Sequence, residues 1–186
     1  MKKVQLIILS VSLFWGYSCA SPKQTAEETQ MVVSRLLSQP NYKIELTQAF
    51  PQSGEFSRMA LKLNLFQGGS SASSINLSGY SAFIRVKNDT VIGRLPFFGE
   101  RYSGNSNRPN NGIRFKGVPK KYSQSRIDNH YECQFTIRDQ DYSTEFYELS
   151  ITVYGNSKTT VSVTSSQRST MRYTGIMTIK DQREGK

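Results

Sequence analysis

Histidine and tryptophan each occur once and cysteine twice in these 186 residues, and that poverty excludes several chemistries. With no second histidine and no cysteine cluster, a zinc site has no ligand set. A serine hydrolase would need His130 as its base. No G-x-S-x-G elbow is present, and His130 falls on the polar face of its segment. "RDQDYSTE" offers Asp139, Asp141 and Glu145, but it lacks the glycine and distal glutamate of an EF-hand loop. Its aspartates have an ordinary place in a turn. A paired-carboxylate hydrolase would need two such groups to converge in one cleft. The reading is therefore non-enzymatic, with no catalytic residue, metal or cofactor.

Long apolar runs are also scarce. One opens the chain: "MKK" followed by "VQLIILSVSLFWGY" is a basic n-region and an apolar stretch too short for a membrane span. Residues 1–19 are thus expected to be an export signal. Ser18-Cys19 resembles a lipoprotein box, in which Cys19 is lipidated and becomes the new N-terminus. Ordinary signal-peptidase cleavage after Ala20 is the rival. Under either, Cys133 has no intramolecular partner, so no disulfide framework exists. In "YECQFTI" it is in phase with Tyr131, Phe135 and Ile137, which predicts a buried face. The expected location is periplasmic, anchored to a membrane through the lipid; "CASPKQ" has no acidic residue close behind the cysteine.

Acidic residues are few: 14 against 24 Lys and Arg, a net charge of +10. The excess is local. Residues 85–126 hold ten basic side chains against Asp89 and Glu100, a net of +8, whereas 127–170 hold three against six, a net of −3. An exported protein with such a cluster meets lipid headgroups, lipopolysaccharide or acidic glycans rather than nucleic acid.

What is present is alternation. "TAEETQMVVSRLLSQ" reads as one helix, with Thr25 and Glu28 as a capping box. After Pro40 the period falls to 2. Tyr42, Ile44 and Leu46 alternate with polar residues, and so do Met59–Leu65, Ala82–Val86, Ile113–Phe115, Tyr147–Val153, Val161–Val163 and Met171–Ile179. One-sided alternation is the signature of antiparallel strands with one wet face. Turn signals such as "KNDT", "RDQD" and "YGNSK" separate nine or ten strands with no helical crossover. A closed up-and-down β-barrel with one N-terminal helix is the expected fold; an open half-barrel or a two-sheet sandwich is the alternative. The divisions are 1–19 signal, 20–40 tether and helix, 41–180 barrel and 181–186 tail.

"GERYSGNS" comes close to a phosphate loop, but Asn105 stands where the lysine belongs and "NRPNNGIRF" cannot begin a helix. The apolar stretch before it is better read as a strand interrupted at Pro96, which lacks a ladder donor. The loop behind can then fold over the barrel mouth. Phe97, Phe98 and Tyr102, beside Arg94, Arg101 and Arg108, are candidates for an apolar pocket with a cationic rim, or for a plug. Asp89-Thr90-Val91 matches a short D-[ST]-aliphatic O-glycosylation pattern at Thr90.

"NDTVIGRLPFFGERYSG", "GIRFKGVPKKYS" and "VYGNSKTTVSVTSSQRSTMRYTGIM" resemble a family of Bacteroidetes exported proteins and lipoproteins known as a domain of unknown function. The positions carrying the likeness are Leu95, Pro96, Phe97, Phe98, Gly99, Ile113, Phe115, Ser165, Arg168, Met171, Tyr173 and Gly175. The resemblance covers about 40–180 and implies a lipocalin-like β-barrel with an N-terminal helix, without an assigned activity. Two functions are then expected. The first is a membrane-tethered module binding a lipid-like or amphiphilic ligand. The second is an envelope interaction or scaffolding lipoprotein with a packed barrel, working through residues 94–126.

Overall fold

The computed structural model describes residues 31, 34–35, 38, 41–52, 54, 71, 73–102, 112–128 and 130–179. The export signal, Cys19, Arg108 and the alternating run 59–65 lie outside them, as does most of the expected helix.

Ten strands follow: β1 (Asn41–Pro51), β2 (Ile75–Asn76), β3 (Phe83–Lys87), β4 (Thr90–Leu95), β5 (Ile113–Gly117), β6 (Lys120–Ile127), β7 (His130–Arg138), β8 (Phe146–Tyr154), β9 (Lys158–Ser165) and β10 (Arg168–Ile179). They form one antiparallel sheet in the order β5-β4-β3-β1-β10-β9-β8-β7-β6, with β2 paired to β1. Mainly β, antiparallel architecture is as the alternation predicts. Of the architectures expected, the open half-barrel is the one found: no ladder among the described residues closes the ring.

The opening has a topological cause. Neighbours on a nine-strand antiparallel path alternate in sense, so its two ends, β5 and β6, run the same way. They are also consecutive, joined by Val118 and Pro119 alone. A hairpin between them is impossible; they act as one strand bent at the proline, which has no amide hydrogen to pair. The first half pairs with β4 and the second with β7. Gln140 beyond β7 donates to the Arg114 carbonyl of β5 at 2.8 Å, so the sheet's two ends touch without a ladder.

Period 2 sends alternate side chains inward. Tyr42, Tyr131, Tyr147 and Tyr173 are at most 1% exposed and lie with Ile44, Ile84, Phe115, Ile151 and Met171 in one core. Phe115 of β5 reaches Tyr147 of β8, with ring centroids 6.3 Å apart, so the core continues across the seam where the sheet's two ends touch. Each large side chain buried this way contributes about 1.5–3 kcal/mol. Cys133 is fully buried, and burial raises its thiol pKa. The Tyr42 hydroxyl is buried with no hydrogen-bond partner among the described residues.

Candidate functional site

Two regions gather the chemistry-bearing side chains: the end of the barrel beyond Leu95, and the outer face of β1, β3, β4 and β5.

At the barrel end, β4 stops at Leu95 and the freed Pro96 carbonyl accepts from the Tyr173 hydroxyl at 2.8 Å. Phe97 and Phe98 then turn onto the core, and Phe98 meets Tyr80 edge-on at 5.7 Å. The segment behind them is stitched to the β9–β10 hairpin. Glu100 N–H donates to Ser169 Oγ and Ser169 N–H to the Glu100 carbonyl, both at 2.9 Å. The Tyr102 N–H donates to the Gln167 carbonyl at 2.9 Å, which leaves the Tyr102 ring in solvent. Residues 96–102 thus lie against this end of the core as a plug.

Beneath the plug lies a buried ion network. Arg168 forks onto Glu145, Nε to Oε1 at 2.5 Å and Nη2 to Oε2 at 2.9 Å. Arg101 adds two bonds to Oε2, and Ser165 donates to Oε1 at 3.1 Å. Arg168 also donates to the Gly112 carbonyl, and its guanidinium sits over the Phe97 ring at 5.2 Å. Asp139 is 3.8 Å from Arg168, accepts from the Tyr147 hydroxyl, and caps the amides of Asp141 and Tyr142. Burial pushes the Glu145 carboxyl up. The hydrogen bonds and charge of Arg168, with the charge of Arg101, outweigh it and hold the carboxyl below its usual range. Burial lowers the Arg168 pKa, but Glu145 outweighs that and raises it. Burial and the bond to Asp139 push Tyr147 well up.

Two carboxylates therefore converge, but on an arginine and under a plug. Glu145 is fully buried and Asp139 is 4% exposed. Among the described residues both carboxylates point into this network rather than outward. Neither carboxylate was legible as a network member, because 23 residues separate Glu145 from Arg168. The available signal was an arginine just past a hairpin turn inside the alternating pattern. Among the described residues no three His, Cys, Asp or Glu gather as a metal would need, and His130 pairs outward with Glu132 at 3.3 Å.

Of the candidate pocket residues, the fold brings Phe97, Phe98 and Arg101 together. It sends Arg94 to the outer face and Tyr102 to solvent. Thr90, partly exposed, opens β4 after the Asn88-Asp89 turn, where Asn88 holds the left-handed conformation at φ 52°.

On the outer face the ladder sets cations opposite cations. Lys43 of β1 faces Arg85 of β3, and Arg94 of β4 faces Arg114 of β5. Lys87 and Lys116 extend the belt. Like charges directly opposed destabilise a sheet by a few tenths to about 1 kcal/mol. Lys43 is bridged to Glu45, and Arg114 lies 3.8 Å from Asp141. Arg85, Lys87, Arg94 and Lys116 have no acidic partner among the described residues. A groove of about 510 Å³ between this face and loop 77–82 is lined by Lys43, Glu45, Phe83 and Arg85. In it Phe83 is flanked by Lys43 at 5.8 Å and Arg85 at 5.7 Å from the ring centroid.

No curated protein and no solved structure matches the chain. A family model does, described as a domain of unknown function (DUF4251), over residues 23–177. That span takes in every strand described above except the last two residues of β10, and the chain belongs to this family.

Proposed function

We propose that this is a non-enzymatic, exported module of the cell envelope, tethered through Cys19, whose outer basic face docks on phosphate-bearing headgroups of lipid or lipopolysaccharide. The carrying observation is the pair of directly opposed cations, Lys43 with Arg85 and Arg94 with Arg114, on a face with few acids. An anionic surface offsets that repulsion. Each basic residue near such a surface contributes about 1 kcal/mol, and a basic patch supplies the second signal that a lipid anchor needs. Of the two functions expected from the sequence, the filled core and plugged end favour the one that works from outside. An amphiphile held within the barrel has less support, because Phe115, Tyr147 and the other tyrosines occupy that space. The absence of enzymatic activity is supported by Asp139 and Glu145 being sealed onto Arg168.

The test compares the full chain with an Arg85→Glu/Arg94→Glu/Lys116→Glu variant in vesicle co-sedimentation. The quantity read is the difference between the two chains in the gain in binding from phosphatidylcholine to phosphatidylglycerol vesicles, so any affinity of the shared N-terminal segment cancels. The wild type should gain at least tenfold at low salt and lose the gain at 0.5 M salt. The variant should lose most of that gain while melting no lower than the wild type. An equal gain in both chains overturns the proposal.

A further inference from the structure

The end strand β6 differs from every other strand of the sheet: all eight residues, "KKYSQSRI", are exposed. One edge is laddered to β7. The other carries no backbone partner among the described residues, because β4, which pairs with β5, reaches only as far as Val91 opposite Gly117. Both faces are open too. The pairings Gln124↔Cys133 and Arg126↔Tyr131 put one row on the inner side, and Ser123↔Gln134 and Ser125↔Glu132 put the other on the outer.

Edges are commonly blunted by lysines and bulges. Here those devices sit at one end: Lys120, Lys121 at φ 51°, and the register shift before Ser123. From Ser123 to Ile127 the register is regular and no proline intervenes. A second copy is a poor occupant. Antiparallel self-pairing centred on Ser123 and Gln124 sets Lys121 against Arg126, a like-charge opposition. The three cations with no acid, and the exposed Tyr122 and Ile127, suit a strand of opposite charge with apolar residues between.

We propose that β6 is a strand-addition site, taking an extended acidic segment of a partner protein that hydrogen-bonds along its free edge. Main-chain bonds would supply affinity, and Lys121 and Arg126 the charge selectivity. This site is separate from the headgroup-binding face and stands or falls independently of it.

The probe is an octapeptide alternating glutamate and valine, with two analogues N-methylated on alternate amides, one for each edge of the strand. Amide hydrogen exchange of the full chain is the readout. In the free chain, the β6 amides not bonded to β7 should exchange fast and independently of protein concentration. The peptide should slow them. One methylated analogue should bind as well as the parent and the other at least tenfold more weakly. Equal binding by both analogues means charge capture without strand pairing and overturns the proposal. So does an absence of protection in β6. Amides already slow in the free chain overturn it as well, since a segment of this chain or a second copy then holds the edge.

Discussion

Glu145 accepts five hydrogen bonds from Arg101, Arg168 and Ser165 while shut away from water. Such a site depends on all its partners: removing one from a buried ion pair costs about 3–5 kcal/mol, because the remaining charge stays buried and unpaired. Arg168→Met should therefore destabilise the chain by that amount in urea unfolding. Arg168→Met combined with Glu145→Leu should recover part of the loss. The same groups set the pH dependence. The Glu145 carboxyl is lowered on folding, so its contribution is present above about pH 4.5 and lost as pH falls below it. Burial raises the Cys133 thiol above 9.0 and pushes Tyr131 from 10.0 up to about 12. Their neutral forms suit the fold, so stability is level between about pH 4.5 and 9 and falls as pH rises from there toward 12. Unfolding measured between pH 3 and 11 should show both limbs, and Glu145→Gln should lose most of the acid limb. A flat profile would contradict the assignment.

Strands β1 and β10 join the two halves of the meander, and at Gly175 the β1 backbone leaves no room for a side chain. A Cβ there would stand 2.2 Å from the Glu45 carbonyl oxygen, beside the register shift between Leu46 and Gln48. Backbone cannot retreat as a side-chain tip can. Gly175→Ala should cost about 3 kcal/mol or more in thermal or urea unfolding, and a loss under 1 kcal/mol would show that the strands can part locally. The elements were unevenly legible. Where a long strand has one face on the core, alternation predicts it, as from Tyr42 to Leu46 or Tyr147 to Val153, whereas the two residues of β2 are too few to show a period. β6 has water on both faces, so "KKYSQSRI" carries no alternation, and only the structure finds it. The positive cluster was visible as composition, but its division was not. Arg101 is taken by Glu145, whereas Arg94 faces outward against Arg114. That division depends on which residues the ladder sets opposite each other, and the register is set by bulges and turns.

At the scale of the molecule, a curled wall wraps a core of its own tyrosines and aliphatic residues, with a plug at one end and cations outside. Among the described residues these side chains fill the core, which is why the proposed function is placed on the surface. Aromatics beside arginines at Phe97 and Phe98 fit either a pocket or a plug from sequence alone. The fold turns those aromatics inward and sets Arg168 over the Phe97 ring. Native mass spectrometry of the chain after gentle extraction from membranes tests the central claim most directly, run on the wild type and on the Arg85→Glu/Arg94→Glu/Lys116→Glu variant. A variable set of anionic lipid adducts is expected on the wild type, with their loss from the variant. One amphiphile retained in fixed stoichiometry by both chains would contradict it and return the ligand to the interior.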